Sequence, residues 1–144
     1  MSHVRYVLWP TVCAVLLASL VACNPISLDR CEIKIAAPYT PVITKGVLIR
    51  GDATVSCSGP VDTSYALLAL ERLTGTGWQA KDQDTSNRIP YPKAVQLTVV
   101  MPCSVGQWRL RYEVRASYQG QTDQRGYATE PLAVNSYQDC TRTT

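Results

Sequence analysis

Over residues 108–118 apolar and polar side chains alternate without a break. Trp108, Leu110, Tyr112, Val114, Ala116 and Tyr118 share one parity, and Arg109, Arg111, Glu113, Arg115 and Ser117 share the other. Successive side chains of a strand point to opposite faces, so this period of two predicts a strand with one buried and one wet face. A second strand is expected where Val95, Leu97, Val99 and Met101 alternate with Gln96, Thr98 and Val100. Val47, Ile49, Ala53, Val55 and Cys57 share a parity in a third, and Cys31, Ile33 and Ile35 open a short first one. The stretch 65–73 is apolar on both faces, as expected of a central strand. Turn signals divide these runs: Ser58-Gly59-Pro60, Thr74-Gly75-Thr76-Gly77, Ile89-Pro90-Tyr91-Pro92 and Gln119-Gly120-Gln121. No helical period appears beyond Cys23. Short strands at this spacing predict an all-β antiparallel sandwich.

The N-terminus follows a different pattern. His3 and Arg5 precede an apolar run over 6–22, broken only by Pro10, Thr11 and Ser19. A basic flank before a short apolar core matches an export signal. The run closes on Leu20-Val21-Ala22-Cys23, which resembles the lipobox of bacterial lipoproteins. That resemblance implies a diacylglyceryl group on the Cys23 thiol and cleavage between Ala22 and Cys23. Two other readings of the run stand beside it: a plain secretion signal, and an uncleaved span at the short edge of bilayer-crossing length. On the lipoprotein reading, 1–22 is a signal peptide and 23–30 a lipidated tether. A second acyl chain matters, because one alone anchors only marginally. The seven residues 24–30 reach at most about 25 Å when extended, which keeps the following domain close over the membrane.

Cysteine usage fits export. Cys13 leaves with the signal and Cys23 carries the lipid, leaving Cys31, Cys57, Cys103 and Cys140. An even number in an oxidising setting points to disulfides, and the wide spacing resembles no Cys-x-x-Cys metal or redox motif.

The strand order resembles that of an immunoglobulin or fibronectin type III domain. Gly106-Gln107-Trp108 stands where such domains often place Gly-x-Tyr entering strand F, and Pro131 before Leu132 and Val134 resembles their last strand. Two features depart from the pattern: Trp78 follows the 74–77 turn instead of lying in strand C, and strand F holds no cysteine. The resemblance implies a single immunoglobulin-like β-sandwich over 31–140, with 141–144 as a tail. It also implies a choice among the three pairings open to four cysteines. The start of strand A lies beside the end of strand B, pairing Cys31 with Cys57. The start of strand F lies beside the end of strand G, pairing Cys103 with Cys140. A shared topology implies fold and not activity.

Composition narrows the chemistry. The chain has 144 residues, one histidine and no phenylalanine. His3 leaves with the signal, which removes His-based triads, His-ligated metals and a histidine pH switch. Thirteen basic and eleven acidic residues lie beyond position 22, for a net charge of +2. With no basic groove interleaved with aromatic platforms, nucleic acid is not an expected partner.

Four groups of residues merit weighing. Asp82-Gln83-Asp84, followed by Thr85, Ser86 and Asn87, offers oxygens to Ca²⁺ but lacks the glycine and distant glutamate of an EF-type loop, so a solvated hairpin loop is expected. Arg50-Gly51-Asp52 spells an integrin-recognised tripeptide, yet it interrupts a strand, and Gly51 there suggests a β-bulge. Arg109, Arg111 and Arg115 line one strand face, where anionic lipid, polyphosphate or cell-wall polymer competes with a solvated face of cross-strand ion pairs. Glu71, Glu113, Asp62, Asp82 and Asp84 are the conceivable acid–base groups, and sequence spacing cannot set two of them across a cleft. No catalytic site, metal site or cofactor is expected. The inventory suggests a non-enzymatic lipoprotein on the outer face of the cytoplasmic membrane. It would be held by Cys23 and bind an envelope protein or cell-wall polymer. The alternative is an inhibitory or regulatory lipoprotein, of the kind that blocks a hydrolase or excludes a phage.

Overall fold

Two antiparallel sheets pack face to face in the computed structural model, which describes residues 30–40, 42–43 and 46–141. Residues 1–29, where the signal peptide, the lipidated Cys23 and most of the tether are expected, lie outside the described residues, as do 41, 44–45 and 142–144. The first sheet is built on β3 (Gly46–Cys57), flanked by β1 (Cys31–Ile35) on one edge and β6 (Val95–Pro102) on the other. The short β2 (Val42–Ile43) pairs with the first residues of β3. In the second sheet β4 (Thr63–Thr74) lies between β5 (Gly77–Ser86) and β7 (Gly106–Tyr118). The strands β8 (Gln121–Ala128) and β9 (Leu132–Val134) both pair with β7. A single helical turn, α1 (Tyr137–Cys140), follows. The fold is an all-β sandwich.

Alternation builds the core. Ile49, Val55, Val95, Leu97 and Val99 of the first sheet meet Leu68, Leu70, Trp108, Leu110 and Val114 of the second. Trp108 takes the place a large aromatic residue must fill in a chain without phenylalanine. It is 2% exposed, and its indole Nε1 donates to the Ser104 carbonyl at 3.0 Å, so its one polar atom is satisfied. Disulfides join Cys31 to Cys57 at one end of the first sheet and Cys103 to Cys140 at the other end of the sandwich.

Two sequence expectations need correction, and one strand is added. Gly51 is not a bulge: β3 and β6 pair in unbroken register through Gly51 and Val99. It is a close-approach position instead, since a β-carbon there would lie 2.6 Å from Cδ1 and 2.9 Å from Cγ of Leu110 in the opposite sheet. Residues 82–86 are not a loop but the second half of β5, and only Asn87 lies beyond the strand. The added strand is β8, which shows no hydrophobic alternation and in which only Asp123 is not exposed. As an edge strand it takes its position from the backbone ladder to β7 and from the Gln119-Gly120 turn, both at positive φ.

Candidate functional site

The face of β4, β5 and β7 turned away from the core carries an organised charge cluster. Register places Glu71 opposite Arg109, and Ala69 opposite Arg111. Glu71 therefore has one arginine across from it and another on the diagonal, both within side-chain reach. Its Oε2 accepts from Arg109 Nε at 2.8 Å, and its Oε1 accepts from Arg111 Nε at 2.8 Å. The Glu71 side chain is 7% exposed. A charge so far from water needs compensation, and two charge-assisted bonds provide it. Ala69, fully buried opposite Arg111, has a side chain small enough for that arginine to reach across toward Glu71.

Trp78 completes the cluster from β5. The Arg109 guanidinium lies 4.2 Å from its ring centroid, inside cation–π range. Only the Nε atoms of Arg109 and Arg111 are engaged. Among the described residues their Nη groups have no hydrogen-bonding partner, and the side chains are 25% and 39% exposed. Two guanidinium groups against one carboxylate leave a net positive site with planar donors free. Donors in that arrangement have the geometry to hydrogen-bond an oxyanion such as a carboxylate or phosphate.

The same face continues toward the end of β7. Glu113 accepts from Arg115 Nη2 at 3.3 Å and from Gln124 Nε2 at 2.9 Å. Arg115 also lies 5.9 Å from the Tyr65 ring. Arg109 and Arg111 thus share a clamp, while Arg115 belongs to a separate, more solvated pair.

The carboxylates considered for acid–base chemistry are not brought together. Glu71 holds its two arginines and Glu113 its own partners. Asp62 accepts from the Gln119 amide at 2.6 Å. Asp82 and Asp84 point from β5 toward β6, where Asp82 Oδ2 accepts from Val100 N at 2.8 Å and Asp84 Oδ2 from Thr98 N at 3.0 Å. These oxygens, weighed above as Ca²⁺ ligands, satisfy the outward amides of an edge strand.

Arg50 and Asp52 pair within β3 at 2.9 Å. Asp52 also accepts from the Tyr39 hydroxyl at 2.6 Å and the Thr98 hydroxyl at 2.8 Å. Partial burial pushes the Asp52 carboxyl up, but the hydrogen bonds from Arg50, Tyr39 and Thr98 outweigh it and hold the group below its ordinary value. The bond to Asp52 raises the Tyr39 phenol in turn. The tripeptide is engaged in the sheet and presents no loop tip.

A second concavity, of about 250 Å³, opens between β1 and β8, lined by Ile33, Val55, Val114, Tyr112, Arg125 and Tyr127 among others. The Tyr112 and Tyr127 rings stand 5.8 Å apart. Burial, and then the neighbouring Tyr127, raise the Tyr112 phenol above its ordinary value.

Sequence reading found the arginines but missed Glu71 as their clamp and Trp78 as their platform. The signal was present in each case: a lone carboxylate, followed by Arg72, in a stretch otherwise apolar on both faces, and a tryptophan just past a glycine turn. No family model matches the chain, and no curated protein matches it.

Proposed function

We propose that the chain is a non-enzymatic lipoprotein of the bacterial cell envelope, held to the membrane by Cys23, whose sandwich binds an anionic envelope partner through the Arg109–Arg111 face. The observation that carries the binding role is the buried Glu71. It spends a costly desolvated carboxylate to fix two arginines with their Nη donors outward, the arrangement that recognition of a carboxylate or phosphate requires. The Leu20-Val21-Ala22-Cys23 sequence supports the anchor, and the two disulfides support an oxidising compartment. The sheet arrangement supports the immunoglobulin-like reading. On that reading β1, β3 and β6 would correspond to strands A, B and E, β5, β4 and β7 to C′, C and F, and β8 with β9 to G.

Two measurements test this. Intact mass spectrometry of the membrane-extracted protein should give a chain beginning at Cys23, carrying diacylglycerol and gaining four hydrogens on reduction. A full-length mass with free thiols would remove the export reading. Binding to a polyglutamate-coated surface should weaken at least about tenfold in the R109Q/R111Q variant and fall with added salt. Equal binding by both proteins would remove the face as the site.

A further inference from the structure

The tether enters the sandwich at one end, and the loops gathered there have the composition of a membrane contact. Cys31 begins β1 opposite Cys57, the last residue of β3. The 58–62 and 87–94 connections and the Gln119-Gly120 turn share that end, because Thr63 pairs with Ser117, Ala66 with Ser86, and Val55 with Val95. Within 87–94, Pro90 is fully buried, and its carbonyl accepts from the Cys57 amide at 2.9 Å. The residues on either side of this fixed point turn outward. Ile89 and Tyr91 are each 42% exposed, and Arg88 and Lys93 beyond them are exposed cations. Arg30 joins them, its carbonyl bonded to the Ser58 amide at 2.6 Å and its guanidinium 4.2 Å from the Tyr118 ring. Against these three cations the described loops at this end hold one acid, Asp62, already engaged by Gln119, and Asp29 precedes Arg30 in the sequence.

We infer that the 87–94 loop rests on the anionic lipid surface in which the chain is anchored, with Ile89 and Tyr91 at the interface and Arg30, Arg88 and Lys93 facing the headgroups. This rests on the lipid anchor at Cys23 and deepens it. The tether of seven residues spans at most about 25 Å, whereas a twelve-residue strand such as β3 is about 40 Å long. The anchored end must therefore stay near the bilayer. An aliphatic and an aromatic side chain flanked by cations is the chemistry that settles at such a boundary. Leu73 is as exposed as Ile89 but lies at the opposite end and serves as the control.

The test uses the full chain, isolated from membranes and reconstituted into phosphatidylglycerol vesicles with brominated acyl chains, in I89W and L73W variants. Added emission from I89W should be quenched by the brominated lipid and shifted to shorter wavelength, while that from L73W is not. Charge reversal in R88E/K93E should abolish the quenching of I89W, and vesicles of phosphatidylcholine should reduce it. A diacylated I89W protein that escapes quenching overturns the docking and leaves the anchor standing. An unacylated protein still quenched at I89W keeps the docking and removes the anchor, and one quenched at neither position overturns both. Both substitutions are at exposed positions, and retention of the two disulfides by mass confirms folding.

Discussion

A methyl group added at Gly51 would displace Leu110, a side chain with no exposed surface. Gly51→Ala is expected to cost about 1–3 kcal/mol, the usual range for overpacking a filled core, read as a lower urea midpoint. Leu110→Ala alone should also destabilise, and the double variant should cost less than the two together because each relieves the other. An unchanged midpoint in Gly51→Ala would mean that the sheets slide apart freely at this point. Asp52 makes a different kind of contribution. Its folded-state value lies below that of the unfolded chain, so its stabilisation is complete above the ordinary aspartate range and is lost as pH falls through the folded value. Asp52→Asn should therefore be less stable than the parent at neutral pH, and the gap should start to narrow below about pH 3.9 and close only once the pH has fallen through the lower folded value. Denaturation midpoints at a series of pH values would show it, and a gap that persists in acid would contradict the assignment.

Among the elements, β6 and β5 depend on each other without sharing a ladder. The amides of Thr98 and Val100 face outward from an edge strand, and the Asp84 and Asp82 carboxylates cap them across the gap between the sheets. In the D82A/D84A variant those amides should exchange with deuterium faster than in the parent, and the protein should self-associate at high concentration in sedimentation velocity. Exchange at the parent rate would assign the protection to something other than the carboxylates. This pair explains which strands could be read from the chain. β6 and β7 bury one face against the opposite sheet, and their periods are plain. β5 spends its inward positions on Asp82 and Asp84 instead of apolar side chains, and β8 spends nearly all of its positions on solvent. Neither leaves a hydrophobic period to detect. The candidate site was half visible for a similar reason. Arg109 and Arg111 alternate with core residues on one strand, but the partner that orients them sits on another, and pairing between strands is not written in local sequence.

Across the whole molecule the two disulfides act at opposite ends. Cys31–Cys57 ties down the first strand at its N-terminal end, and Cys103–Cys140 holds the closing helical turn against the far end. Their loops span 26 and 37 residues, so chain entropy gives each about 3–4 kcal/mol by the same argument, and neither dominates by length. Removal of the far bridge in C103S/C140S should lower the thermal midpoint while leaving the amides of β1 protected. Loss of protection at both ends would show that the sandwich opens as one unit.

The aspartate caps acquire a further meaning once molecules share a surface. In the anchored arrangement proposed here, every copy stands the same way up, with lateral diffusion its main remaining freedom. Such a population has already lost the orientational entropy that normally opposes strand pairing between strangers. Two copies meeting flank to flank would present β6 edges aligned and at matching height. A soluble protein rarely meets that collision geometry, but a lipid-held one would meet it continually. Asp82 and Asp84 place like charge at that contact and occupy the donors a neighbour would seek, insulating each molecule from its own kind in the plane where it moves.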